Sequence, residues 1–231
     1  LENNLFFEKI SLIENKNKIQ IDNLSLKNDY LINEFQRMNL DYFDNENIKN
    51  KISIIRKNKN YILKGNILNA NKIIDNLLES DTPKKKFFNQ DFRIDVNIEK
   101  LYLDKDNYIQ TLKGYINLKK NTVYNANLVS KFSNNKNIKF TIKTENNETI
   151  TTLFSDEAKP LVNRYKFIKG FNEGSLDFYS SKKNNNTQST LKIYDFKLKE
   201  LPALTKLLTL ASLQGIADLL TGEGIRFNEF E

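Results

Sequence analysis

The sequence predicts a mostly β protein, built from many short strands that each have one apolar face, with a few short amphipathic helices. Three observations predict it. Apolar and polar residues alternate with a period of two through about a dozen runs. The runs are separated by short "NN", "DN" and "KN" steps, and Asn and Asp tolerate the left-handed backbone that tight hairpins need. The 231 residues hold only 7 Gly and 3 Pro, so flexible linkers are not prominent.

The runs can be taken in chain order. "KIQIDNLSL" places Ile19 and Ile21 on one face. "DFRIDVNI" places Phe92, Ile94, Val96 and Ile98 on one face, with Arg93, Asp95 and Asn97 opposite. "TLKGYINLKK" gives Leu112, Ile116 and Leu118, and "VYNANLVSKF" gives Tyr124, Ala126, Leu128 and Phe132. "IKFTIK" gives Ile138, Phe140 and Ile142, "GSLDFYS" gives Leu176 and Phe178, and "STLKIYDFKL" gives Leu191 and Ile193. Successive strand side chains leave opposite faces, so each run has one greasy and one wet side.

Helical spacing interrupts this pattern three times. "NANKIIDNLLES" carries Ile73, Ile74, Leu77 and Leu78 on one side, which predicts a short helix near 70–79. "SDEAKPLVNRYKF" predicts a helix near 156–168 with Ala158, Leu161, Val162 and Tyr165 at helical spacing, and Ser155 and Asp156 as caps before Pro160. The third helix, near 201–221, is apolar almost all round. Leu204, Leu207, Leu208 and Ala211 form one side, Leu210, Leu213, Ala217 and Leu220 another, with Ile216 beside them. A helix of that kind is buried or lies in lipid. Pro202, Lys206, Gln214, Gly215 and Asp218 argue against a membrane span, so it is expected as a lid or plug over an apolar sheet face. Each helix follows a strand, which makes strand-into-helix a reused motif.

A run of one-faced strands must cover its apolar side. Two sheets can close into a sandwich, one sheet can close into a barrel, or a long meander can leave an open trough suited to acyl chains. The chain itself leaves these three open.

Composition narrows the function. With no Cys and no His, thiol and imidazole chemistry and the common zinc and haem sites are excluded, and no cofactor is expected. The net charge of +7 comes from 36 Lys and Arg interspersed among 29 Asp and Glu, which argues against a clustered nucleic-acid footprint. The densest basic run, Lys84 to Lys86, follows Pro83 in an expected loop. "LDKDNYI" at 103–109 lacks the Gly and distal Glu of a calcium loop and reads as a hairpin turn. Asp41, Asp44 and Glu46 read as a solvated turn, and the glycines at 222 and 224 as a helix C-cap. The chain opens at "LENNLFF" without Met and closes at "FNEFE" as a strand begins, so a segment of a larger protein is expected.

The stretch "DFKLKELPALTKLLTLASLQGIADLLTGEGIRFNEFE", from Asp195 to Glu231, resembles the C-terminal conserved region of AsmA-like proteins of the YhdP and TamB type. "SKFSNNKNIKFTIK", "TTLFSDEAKPLVNRYKF" and "GSLDFYS" extend the resemblance upstream, dividing the chain into a β-rich groove segment, 1–130, and an AsmA-like region, 131–231.

The resemblance implies a long, curved, antiparallel sheet folded like a taco around an open apolar groove. It further implies a bridge that moves phospholipid between the inner and outer membranes of a Gram-negative bacterium, periplasmic and anchored in the inner membrane by a segment outside this chain. The expected groove lining is Phe92, Ile94, Val96, Ile98, Leu112, Ile116, Leu128, Ile138, Phe140, Ile142, Leu176, Phe178, Leu191 and Ile193. The expected lid is Leu204, Leu207, Leu208, Leu210, Ala211, Leu213, Ile216 and Leu220. Expected partners are phospholipid acyl chains, the two membranes and envelope proteins, without nucleic acid, metal or catalysis. The competing expectations are a structural or assembly scaffold whose sheet edges add strands to a partner, and a carboxylate glycan hydrolase.

Overall fold

A computed structural model describes residues 4–28, 30–78, 90–119, 122–165, 168–184, 186–199 and 224–231. The described residues are mostly strand. The elements are β1 (Leu5–Glu14), β2 (Asn17–Leu26), β3 (Ile32–Glu34), β4 (Arg37–Phe43), β5 (Lys49–Lys57), β6 (Asn60–Asn69) and α1 (Asn71–Leu78). They continue with β7 (Phe92–Tyr102), β8 (Tyr108–Lys119), β9 (Thr122–Lys131), β10 (Asn137–Glu145), β11 (Glu148–Ser155), α2 (Lys159–Tyr165), β12 (Phe171–Lys183), β13 (Asn186–Leu198) and β14 (Ile225–Phe230). The hydrogen-bonded order follows the chain from β1 to β14, with β3 also on β2, and does not close on itself. That excludes the barrel. The chain forms two compact units, one of residues 1–133 with 141–144 and one of 134–140 with 145–231.

Asparagine makes the hairpins. Asn15, Asn47, Asn58, Asn135, Asn146, Asn147 and Asn184 all have positive φ at connections between consecutive strands. The amide side chain lowers the cost of that conformation, which explains how the chain turns so often with few glycines. The turn after β7 works differently. The Asp104 carboxylate accepts from the backbone N–H of Asp106 (2.8 Å) and Asn107 (2.7 Å), so "LDKDNYI" is a hairpin turn.

One pair departs from the antiparallel expectation. β6 and β7 are parallel, with Tyr61 opposite Ile94 and Asn69 opposite Tyr102. A parallel pair needs a long crossover, and residues 70–91, which include α1, supply it.

The second difference is a repeated step in the alternation. In β2 the inward series runs Ile19, Ile21, then Leu24; in β8 it passes from Ile109 to Leu112; in β13, from Ile193 to Phe196. Each step of three has a left-handed residue inside it: Asn23, Thr111 or Asp195. The left-handed residue turns the strand by one position and returns the apolar series to the same side.

α2 begins later than expected and its caps are not the predicted ones. The Ala158 carbonyl is the first acceptor of the helix, taking the backbone N–H of Leu161 and Val162. Ser155 bonds its hydroxyl to the Glu157 carbonyl (2.7 Å), and Asp156 accepts from the backbone N–H of Asn137 (2.9 Å). These side chains pin the loop before the helix. Pro160, Leu161 and Val162 are buried.

Candidate functional site

In the first unit the strand registers align apolar residues into rows that run across the sheet. One row reads Ile10, Ile21, Met38, Ile54, Leu63, Val96, Gly114, Leu128, each directly opposite the next from β1 to β9. A second reads Leu12, Ile19, Leu40, Ile52, Gly65, Ile98, Leu112. At about 4.8 Å per strand, the first row spans roughly 34 Å. The interleaved row on the other face is Ser11, Gln20, Asn39, Ser53, Lys64, Asn97, Lys113. The apolar side is therefore continuous over eight strands, and the opposite side is mostly polar, with Ile55 opposite Ile62 as an exception.

Two glycines sit in these rows because the backbone leaves no room for a Cβ. At Gly65 an added Cβ would lie 2.5 Å from Ile52 Cγ2 and 2.7 Å from the Lys51 carbonyl. At Gly114, with φ of +143°, it would overlap the Asn127 carbonyl oxygen.

One end of the rows is aromatic. Ser25 pairs with Glu34 and Asp22 with Arg37, so Phe35, in the gap between β3 and β4, falls opposite Leu24. Its ring lies 4.8 Å from that of Tyr61, which meets Phe92 edge-on at 5.3 Å. Leu24, Phe35, Tyr61 and Phe92 are buried together, and Ile10, Ile21, Met38, Ile54, Ile94 and Leu118 pack against them while staying partly exposed. The Glu34–Arg56 ion pair (2.6 Å) lies beside this cluster.

The other end is polar. Asp44 accepts from the backbone N–H of Glu46 (2.9 Å) and Ile48 (3.0 Å), and from the amides of Asn50 (3.1 Å) and Asn69 (2.7 Å). Glu46 accepts from Asn69 (2.8 Å) and Asn71 (2.6 Å). Desolvation pushes the Asp44 carboxyl up, but these donors outweigh it and hold the group below its ordinary value. Asp41 pairs with Lys49 at 3.0 Å. Asp44 and Glu46 thus tie the β4–β5 turn to the end of β6, while Asp41 pairs across the base of the turn. Among the described residues no group of three or more His, Cys, Asp or Glu is placed to hold a metal.

The expected groove residues fall as follows. Phe92, Val96, Ile98 and Leu112 are buried, and Ile94, Ile116 and Leu128 half-buried, all in the rows of the first unit or beside Phe92. On β10, Ile138 is buried and Phe140 and Ile142 half-buried. In the second unit Leu176 lies opposite Ile193, and Phe178 between Leu153 and Leu191. The eight expected lid residues, 204 to 220, lie outside the described residues, as do Lys84 to Lys86 and the side chains of Leu77 and Leu78. Tyr124 is not on the apolar side. A bulge sets Val123 opposite Leu118 and leaves Tyr124 exposed near the Lys119 ammonium.

The contribution of β1, β2, β4, β5 and β6 to the rows was absent from the expected lining. Its signal was the short apolar pairs Ile19–Ile21, Met38–Leu40 and Ile52–Ile54, each two residues apart.

A depression of about 510 Å³ lies elsewhere, lined mainly by polar residues including Asn39, Asp41, Lys51, Ser53, Lys64 and Asn97. Two polar pairs in its lining bond to each other, Ser53 to Asn39 (2.7 Å) and Asn66 to Glu99 (2.9 Å). Among the described residues, no helix is long and apolar enough to cross a membrane. No family model, curated protein or solved structure matches the chain.

Proposed function

We propose that the chain binds phospholipid acyl chains along the apolar rows of its sheet and serves as a segment of a lipid-transfer bridge in the bacterial envelope. The observation that carries this reading is the unbroken Ile10–Leu128 row over eight strands, backed by a polar row on the opposite face. Each acyl methylene moved onto such a surface gains about 0.8 kcal/mol, without a specific polar contact. A surface of that kind holds a chain of methylenes at any register, and a conduit needs that property. The headgroup stays in water at the sheet margin. No bond is made or broken, and the chain acts without cofactor or catalysis. The AsmA-like resemblance of residues 131–231 supports the same reading, with a periplasmic position between the two membranes.

The test is native mass spectrometry with lipid extraction on the chain purified gently from a bacterial envelope. Phospholipid at defined stoichiometry is expected, falling in a Leu63→Asn variant that interrupts the central row. A folded chain free of lipid would overturn the reading and favour a structural role in the envelope.

A further inference from the structure

We infer that the sheet of the first unit holds phospholipid in one orientation, with the phosphodiester along the margin formed by the β5–β6 and β8–β9 turns. This orientation presupposes the lipid binding proposed above and adds to it where the headgroup lies. A separation of charge between the two ends of the strands points to it.

β2, β5 and β8 run one way across the sheet, and β1, β4, β6, β7 and β9 run the other. The β5–β6 and β8–β9 turns therefore share one margin, and the β1–β2, β4–β5 and β7–β8 turns share the opposite one. The first margin reads "KNKN" at 57–60 and "KKNT" at 119–122, with lysines and no carboxylate. The second reads "ENKN" at 14–17, "DNEN" at 44–47 and "DKDN" at 104–107, with five carboxylates against two lysines.

Lys57, Lys59 and Lys119 are exposed, and none has a carboxylate partner among the described residues. Glu34 and Asp95, on the strands beside these turns, are already paired with Arg56 (2.6 Å) and Arg93 (2.7 Å). Asp91 sets one further carboxylate against the three lysines. A phosphodiester at this margin meets cations, whereas at the other it meets Glu14, Glu46 and Asp106.

The apolar face grades toward the lysine margin in the order a lipid requires. On β5 the series Ile52, Ile54 continues into Arg56, and on the facing β6 Leu63 leads to Tyr61, opposite Arg56, with Lys59 beyond. Aliphatic rows thus give way to the Phe35, Tyr61 and Phe92 rings and then to cations. Tyrosine suits the middle depth, because its body is apolar and its tip polar. β5 is nine residues long, so the two margins lie about 30 Å apart.

That distance makes the orientation measurable. The chain has no cysteine, so Thr122→Cys and Asn45→Cys each place one fluorophore on an exposed residue, at the lysine and the acidic margin respectively. Each labelled chain is loaded with phosphatidylcholine carrying a nitroxide on its headgroup. Strong quenching at position 122 and little at 45 is expected. Equal quenching at the two, or stronger quenching at 45, would overturn the orientation and leave lipid binding intact. The nitroxide's own paramagnetic resonance spectrum reports whether lipid is bound at all, and a spectrum of free lipid only would overturn both.

Charge removal gives a second readout. The triple variant Lys57→Gln/Lys59→Gln/Lys119→Gln should retain phosphatidylglycerol from vesicles about tenfold less well at low salt, with the difference shrinking at high salt. Asp106→Asn should change nothing, and Leu63→Asn should lose phosphatidylglycerol and phosphatidylcholine alike. Circular dichroism on each variant separates lost binding from lost folding. A folded triple variant that retains phosphatidylglycerol like the unaltered chain would overturn the orientation.

Discussion

The two units use the same strand pattern to different ends. In the first, eight strands line up aliphatic rows, and much of that surface stays half-exposed beside one aromatic cluster. In the second, one end of the apolar side is filled by the unit's own rings, while Leu153, Phe178 and Leu191 stay half-buried. Phe196 stacks between Phe171 at 5.2 Å and Phe227 at 5.3 Å. Ile193, Ala158 and Val162 are fully buried, and α2 lies against β12. A one-faced strand therefore does not by itself mean a binding surface. What decides is whether large side chains close the face over themselves, as in the second unit, or leave long rows of branched aliphatics, as in the first.

The largest effect should come from opening the closed unit. Phe196→Ala removes the middle ring of the stack and leaves a cavity that the rigid strands cannot collapse. A loss of about 4 kcal/mol is expected in denaturant unfolding. A loss under about 1 kcal/mol would mean that the second unit is as open as the first, and the contrast would fail.

The next effect strikes the open unit through its backbone. Gly114→Ala forces a Cβ onto the Asn127 carbonyl at a φ that side chains rarely adopt. About 2–3 kcal/mol should be lost. Adding a methyl to an apolar row would otherwise be neutral or helpful, so the sign of the change reports whether β8 and β9 approach as closely as described.

A side-chain change in the open unit should cost less. Leu63 is half-buried, so Leu63→Asn keeps part of its polar group in water, and about 1 kcal/mol of stability should go. Lipid retention should fall by much more than stability does. If Leu63→Asn instead unfolds the chain as Phe196→Ala would, the face is closed core and the contrast between the units disappears.

The same contrast explains what could be read beforehand. The runs around Phe92–Ile98 and Ile138–Ile142 alternate without a break, and their inward residues follow from period two alone. β2, β8 and β13 were harder, because their apolar series steps by three, at Ile21 to Leu24, Ile109 to Leu112 and Ile193 to Phe196. A strict alternation rule assigns the two halves of such a strand to opposite faces. The cause is a left-handed residue, and at Thr111 and Asp195 nothing in the local sequence marks it. Nor is the parallel β6–β7 pair legible, since strand direction depends on the length of crossover that residues 70–91 provide. The rows themselves need the register between strands, which no single strand encodes.

The smallest effect concerns pH, where the units differ in the donors that hold a carboxylate. In the first unit Asp44 is held down by four N–H donors from Glu46, Ile48, Asn50 and Asn69. In the second, the backbone and amide of Asn137 hold Asp156 down, and Glu173 is lowered first by its bond to Lys197 (2.9 Å). For each of these groups the folded pKa lies below the unfolded one. The stability each contributes is therefore complete above the ordinary carboxylate range and is lost as pH falls through the folded value. Asp44→Asn should flatten part of the acid limb of a stability–pH curve while leaving the part due to Asp156 and Glu173. Glu173→Gln should do the reverse, and its share should shrink in high salt, because an exposed ion pair is screened while backbone donors are not. An Asp44 share equally sensitive to salt would show that charge, and not the turn's hydrogen bonds, sets that group's protonation.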